Sequence, residues 1–532
     1  MKLTDITRKP DRILICDEES AFRFEEGEKS SLAKIDYLPT KSGGTVVINP
    51  CPVPVKYAKL RWNEPICGLE KMLGDQWERS GGEVGHEWTG VIPHKIMPWY
   101  FHCVKGEENA FYGVKTGANA FCAWQVDSKG LTLYIDLTCG DGGTLITSPL
   151  TLCETVSACF FGDAFLSSEK FCALMCDKPV LPKSPVFGVN NWYWAYGNIS
   201  HESIMVETDY LLLMTKGAVN KPYMILDDGW QASRRKDFNG GPWDKCNDKF
   251  TSMSETAQMI LEKGALPGIW FRPLYTVGST PLDAMIKTGN DTDKIVLDPS
   301  HPYTIEKIES DTRRIAEWGY KLIKHDFTSI DITGAGPIRK SGKICRDGVR
   351  FYDNKKTTAM LMKDCYNAVQ RGAGESEVIG CNTVGHLTAG IHSIQRVGND
   401  TSGRSFEWTR RFGINSMMRL GQNGTFFNVD PDCAAFTERV PISENLDFLE
   451  VCALTGMTTL ASVTPGMLKG SDLERINSIY KMASENKSRH IIAGYTDTVC
   501  PEKFVSRDGS NVKEYDWYSH YNGVRNQLDW FN

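Results

Sequence analysis

Between residues 187 and 462, short apolar runs alternate with amphipathic ones, and most of the apolar runs close on polar side chains. "FGVNNWYWAYG" precedes "SHESIMVETDYLLLMTKG", where Ser200 is placed to cap a helix. "KPYMILDDGWQ" precedes a helix-type run near "MSETAQMILEKGA", and "LPGIWFRP" precedes one near "PYTIEKIESDTRRIAEWG". "YKLIKHDF" leads through a loop to "TTAMLMKDCYNAVQRGAG". "SEVIGCNT", "IHSIQRVGND", "GTFFNVDPD" and "LTGMTTLAS" complete a set of eight strand candidates. Eight strand–helix alternations over roughly 250 residues predict a (β/α)8 TIM barrel.

The flanks read differently. Residues 1–180 hold short β-branched and aromatic runs such as "GGTVVINP", "FCAWQV" and "LTLYIDLTCGDGGTLITSPLTL", separated by Gly, Asp and Ser clusters. That pattern predicts an N-terminal β-sandwich. Pro179, Pro182 and Pro185 mark the linker. Residues 471–532 read as a small C-terminal β-domain, with 181–470 as the catalytic barrel between. A multidomain α/β chain of 532 residues is expected.

Composition narrows the partners. A net charge of −6 offers no basic footprint, so no nucleic acid is expected. No run approaches the roughly 18 apolar residues of a membrane span. The start of the chain has acids and no apolar h-region, which reads against a secretory signal. Its 17 cysteines are scattered without a CxxC pair and read as reduced thiols, so a cytoplasmic location is expected. No GxSxG elbow, P-loop, or GxGxxG after a strand is present, and no cofactor or metal is expected.

Catalytic groups of such barrels sit at the C-terminal ends of the strands. Read in order, those ends carry Asp227, Asp228 and Trp230; Trp270 and Arg272; Lys324 and Asp326; Cys381 and Asn382; Arg396 and Asp400; Asp430 and Asp432. Lys324 and Asp326 share one face of their strand, and His325 takes the other, toward the outer helices. Two facing carboxylates are what glycoside cleavage requires, and Asp326 and Asp400 suit that work. Lys324 would keep Asp326 ionised. Asp227 and Asp228 offer acceptors for sugar hydroxyls, and Trp230 offers a stacking plane. Two blander readings stand beside these. "DDG" is a good turn sequence, and Asp227, Asp228, Asp430 and Asp432 are oxygen donors of the kind calcium or magnesium takes.

Together "ILDDGWQ", "KHDF", "RVGNDT" and "VDPDC" resemble the melibiase-type α-galactosidases, a group that includes the raffinose synthases. The resemblance covers residues 187–470. It implies a retaining hydrolase of terminal α-linked sugars, α-galactose first, with an oligosaccharide or glycoside as substrate. Transfer to an acceptor sugar in place of water, or a different terminal sugar, are the alternatives it leaves. By position, Asp326 matches the nucleophile and Asp400 the acid/base. Lys324, Arg396, Asp227 and Asp228 match sugar-contacting residues, and Trp192 matches an aromatic near the subsite. Cys381 and Asp432 match other pocket positions. Arg272 is taken as a further substrate contact. Members of the group often assemble as homo-oligomers. The chain departs from the group in a shorter N-terminal domain and in the stretches "GPIRKSGKICRDG" and "RRKDFNGGPWDK".

Overall fold

The computed structural model describes residues 1–17, 33–79, 88–234, 238–286, 295–334, 338, 343–486 and 489–518. Parts of both divergent stretches, 336–337, 339–342 and 235–237, and the tail from 519 lie outside the described residues.

A nine-stranded parallel sheet occupies the middle of the chain. Its strands are β1 (Phe187–Asn190), β2 (Tyr223–Leu226), β3 (Leu266–Phe271), β4 (Leu322–His325) and β5 (Glu377–Gly380). They continue with β6 (Ile394–Arg396), β7 (Asn428–Asp430), β8 (Ala434–Phe436) and β9 (Thr459–Val463). The order is β7-β6-β5-β4-β3-β2-β1-β9-β8. Helices such as His201–Met214, Met253–Lys263, Pro302–Glu317 and Thr358–Ala373 connect the strands. Ser200 caps the first of these, its hydroxyl accepting from Ser203 N. With helices over the sheet, strands such as β2, β4 and β9 are buried along their whole length.

Side-chain parity shows how the sheet curves. Tyr223, Ile225, Leu322, Ile379, Ile394 and Leu460 meet in one apolar cluster, although they come from β2, β4, β5, β6 and β9. Their neighbours of opposite parity, Met224, Ile323 and Val378, join the larger core with the helices. Beyond β7, Thr458 N donates to Val429 O at 2.9 Å, tying one end of the sheet to the start of β9.

Ahead of this sheet lie two antiparallel ones. The five-stranded sheet runs in the order Arg12–Asp17, Val55–Trp62, Gly130–Asp136, Phe121–Asp127, Met97–Pro98. The six-stranded sheet runs in the order Ile35–Pro39, Gly43–Ile48, Leu150–Phe161, Glu108–Val114, Tyr100–Lys105, Lys71–Gly74. Aromatic rings pack between them, Tyr37 on Trp62 at 5.5 Å and Phe101 on Trp124 at 6.2 Å. A helix, Ala164–Met175, interrupts the stretch read from sequence as all β. Another, Gly470–Glu485, fills the start of the expected C-terminal β-domain and packs on His201–Met214. The β-structure of the tail is a three-stranded sheet of Ile491–Ile492, Lys503–Val505 and Val512–Glu514.

Candidate active site

Strand parity builds the site. Asp227 is two residues beyond Ile225, Lys324 two beyond Leu322, Cys381 two beyond Ile379 and Arg396 two beyond Ile394. Each therefore takes the same side as the inner apolar cluster and stands above it, at the C-terminal ends of the strands. His325, of opposite parity, is buried against Thr328, His392 and Tyr366. Its pKa falls to about 4, because burial disfavours the imidazolium.

Asp326 directly follows β4 and is 8% exposed. Trp270 Nε1 donates to its Oδ2 at 3.1 Å. Asn382 Nδ2 at 2.5 Å and the Phe327 amide at 2.7 Å donate to Oδ1. Burial raises its pKa, but the charges of Lys324 and Arg79 and these hydrogen bonds outweigh burial and leave it below the usual carboxylate range. Lys324 does this through space. Its ammonium hydrogen-bonds to Asp227 Oδ2 at 2.7 Å, and Asn190 Nδ2 donates to the same oxygen. The sequence reading had Lys324 holding Asp326 ionised and contacting the sugar; its hydrogen-bond partner is Asp227, just beyond β2.

Arg396 binds three carboxylates: Asp430 at 3.2 Å, Asp432 at 2.6 Å and Asp400 at 3.3 Å. Asp432 also accepts from the Tyr193 hydroxyl and from Thr401 N. Asp400 is 53% exposed at the side chain, and Arg79 Nη1 donates to its Oδ1 at 2.7 Å. Burial raises the Asp400 pKa, and Arg79 and then Arg396 turn the net shift downward. Arg79 itself is buried. It comes from the N-terminal six-stranded sheet, whose edge strand Lys71–Gly74 runs on into the strip 75–79. The strip is anchored by Arg419, which pairs with Asp75 at 2.7 Å and donates to Glu78 O at 2.7 Å.

Three non-glycine residues with left-handed backbone stand beside these groups: Phe327 (φ 64), Asn382 (φ 49) and Asp432 (φ 76). Each such residue costs about 1–3 kcal/mol, a strain found chiefly where function fixes the backbone. Asp228 bonds Gln231 and Arg234, and burial pushes its carboxyl up to about 6. The folded chain therefore holds a proton that the unfolded chain releases lower, so stability falls as pH rises from about 4 to about 6. Asp228→Asn, which mimics the protonated form, is expected to flatten that decline by about 2–3 kcal/mol. Denaturation curves at about pH 4 and about pH 7 check it.

One expectation is corrected, and a second residue is found already engaged. Trp230 is no stacking plane: it is fully buried, donates from Nε1 to Trp270 O and packs on Trp243 and Trp318. Gly229, at φ 133, turns the chain so that Trp230 enters the core. Arg272 is occupied by Asp331 and Asn239, and its guanidinium lies over the rings of Tyr275 and Phe327. It braces Phe327, the residue after Asp326, and feels the charge of Asp326 while its hydrogen bonds go to Asp331 and Asn239. Trp192 is half-buried against Tyr196 at the end of β1, and Cys381 is buried close enough to Asp326, Arg396 and Lys324 to feel their charges. Asp227, Asp228, Asp430 and Asp432 are each paired with a cation of the chain. A surface groove of about 750 Å³ lined by Pro299, Arg313 and Lys356 shares no residue with this cluster.

Sequence reasoning missed Arg79 outright and left Trp270 and Asn382 as unassigned strand ends. The latter two were findable by position; Arg79, 321 residues from Asp400, was not.

No profile of a known protein family matches the sequence. Solved structures do resemble the fold. An α-galactosidase from Thermus thermophilus, in complex with p-nitrophenyl α-D-galactopyranoside, superposes with TM-score 0.60 at 16% identity, over 90% of this chain and 99% of that one. A GH36 α-galactosidase from Geobacillus stearothermophilus gives 0.62 at 13% identity, over 90% and 71%. An α-galactosidase from Lactobacillus brevis gives 0.60 at 12% identity, over 93% and 74%. At these identities the likeness is one of fold.

Proposed function

We propose that the chain is a retaining exo-glycoside hydrolase of the melibiase type, acting on terminal α-linked sugars, most readily α-galactose, of an oligosaccharide or glycoside. The observation that carries this is the pairing at one end of the parallel sheet: a buried carboxylate, Asp326, held ionised, beside a half-exposed one, Asp400. The structural neighbours, crystallised with p-nitrophenyl galactoside, stachyose and raffinose, support the sugar class.

In this reading the nine strands form a (β/α)8 barrel with one extra short strand. The two antiparallel sheets are its N-terminal sandwich, residues 1–180. The barrel spans 181–470 and the C-terminal domain 471–532, whose described helix Gly470–Glu485 packs on His201–Met214. Asp326 attacks the anomeric carbon while the glycosidic C–O bond breaks, and Asp400 gives its proton to the leaving oxygen. Water then attacks the glycosyl ester, Asp400 takes the proton back, and Asp326 is freed. The carboxylates need a separation of about 5–5.5 Å for this course. Asp227, Lys324, Arg396 and Asp432 hold the sugar from the surrounding strands. The 17 cysteines stand as free thiols, two of them exposed, which suits a reducing compartment such as the cytoplasm.

A panel of p-nitrophenyl α-glycosides, with Asp326→Ala protein as control, tests the reading. Release from the α-galactoside by the wild type alone is the expected result. Product analysis with an added acceptor sugar separates hydrolysis from transfer. The loop carrying Asp400 is also constrained. A Cβ on Gly398 would lie 1.8 Å from Phe412 O, so the backbone at this position, between Arg396 and Asp400, has no room for a side chain. Gly398→Ala is expected to lower stability by about 1–3 kcal/mol and kcat/KM by about 100-fold, measured on the α-galactoside.

A further inference from the structure

We propose that Arg79 is a positioning residue delivered by the N-terminal sheet, holding Asp400 at the mouth in its proton-accepting form and so setting the alkaline limit of the first half-reaction. This rests on the reading of Asp400 as the proton donor.

The geometry is specific. Arg79 Nη1 lies 2.7 Å from Asp400 Oδ1, and the arginine side chain is 6% exposed while the aspartate is 53% exposed. The Nε of Arg79 is buried without an acceptor, and Asp400 is the carboxylate that this buried cation hydrogen-bonds, with Asp326 and Glu78 acting on it through space. Protonating Asp400 removes that direct pairing, which makes the protonated form costly. The same cation also acts on Asp326 through space. Before attack Asp326 bears the negative charge and Asp400 the proton. After attack Asp326 is an ester and Asp400 is charged. One guanidinium therefore faces the charged carboxylate in both halves of the cycle.

Other groups face Asp400 as well. Arg396 comes from β6, Lys324 and Asp326 from the end of β4, Asp432 from beyond β7 and Tyr193 from beyond β1. Of these, only Arg396 is a second cation in hydrogen-bonding contact, and it is shared with Asp430 and Asp432. Arg79 makes its direct ion pair with Asp400, whereas its action on Asp326 and on buried Glu78 is through space, so its removal breaks no other direct pair.

The test is kcat/KM against pH for Arg79→Gln and Arg79→Lys, on methyl α-galactoside and on an aryl α-galactoside with a strongly acidic phenol. The alkaline limb reports the free-enzyme proton on Asp400. Without the cation Asp400 keeps its proton to higher pH. Arg79→Gln is expected to move that limb upward by about one pH unit on the methyl glycoside; solvent screening keeps the shift at the low end of the usual range. The aryl glycoside needs less proton donation and should show a smaller move. Arg79→Lys keeps the charge and should leave the limb near that of the wild type. If Arg79→Gln does not fold, Arg79→Met, which keeps the packed stem, takes its place. A limb that stays put in a folded, active, neutral variant overturns the proposal and leaves Arg79 as a domain tie. A wild type that releases no sugar, or an Asp326→Ala protein that still turns over, overturns the underlying reading instead.

Discussion

Asp326→Ala is expected to lower kcat on an α-galactoside by about 10⁴-fold or more while the protein stays folded. A covalent route that loses its nucleophile has no alternative of similar barrier, and residual catalysis comes from binding and the other groups alone. The fold should survive because the cations near Asp326 have other partners: Lys324 holds Asp227, and Arg79 holds Asp400. What is lost is a set of hydrogen bonds from Trp270, Asn382 and the Phe327 amide, offset by relief from burying a charge. Azide, small and anionic, should enter the space left and restore part of the turnover. Circular dichroism and a melting curve establish the fold, and steady-state kinetics the loss. A variant that keeps more than about a tenth of the wild-type rate would remove Asp326 from the role.

The largest stability effect is expected at Arg396. Asp430 and Asp432 are 2% and 1% exposed at the side chain, and this guanidinium joins them. Arg396→Met keeps the stem volume and removes the charge, leaving two carboxylates side by side in the interior. Breaking a buried pair by removing one partner costs about 3–5 kcal/mol. The chain can soften this by holding a proton on one carboxylate. The folded pKa then lies above the unfolded one, so the extra stability is present at low pH and lost as pH rises. The deficit of Arg396→Met should therefore be larger at pH 8 than at pH 5. Denaturation curves at the two values check it. A variant matching the wild type at both would show that the triad contributes little to holding β6 against β7.

Much of this was legible in the chain. The alternation of runs placed all eight principal strands, and polar residues at their ends marked the right edge of the sheet. Parity placed Lys324 and Asp326 on one side and His325 on the other. Partner choice was not legible. Lys324 pairs with Asp227 because β2 and β4 curve toward each other, and a linear reading sees only the aspartate two residues away. Trp230 was misplaced because the turn at Gly229 rotates it out of the pattern that led up to it. The helix Gly470–Glu485 was available: Ile476, Ile479, Tyr480 and Ala483, all buried, repeat at helical spacing. Arg79 had no local signature, since only the packing of the edge of the six-stranded sheet on the strand ends brings it to Asp400.

Arg419 donates to Glu78 O and to Val397 O at once, joining the edge of the six-stranded sheet to the loop that leads to Asp400. A fragment that began at Pro185 would keep every parallel strand and lose Arg79, the cation that Asp400 is paired with. The leading sheets are therefore no detachable accessory. Exchange of this module between genes would have to bring a matching rim with it, so the two halves are bound to evolve as a pair.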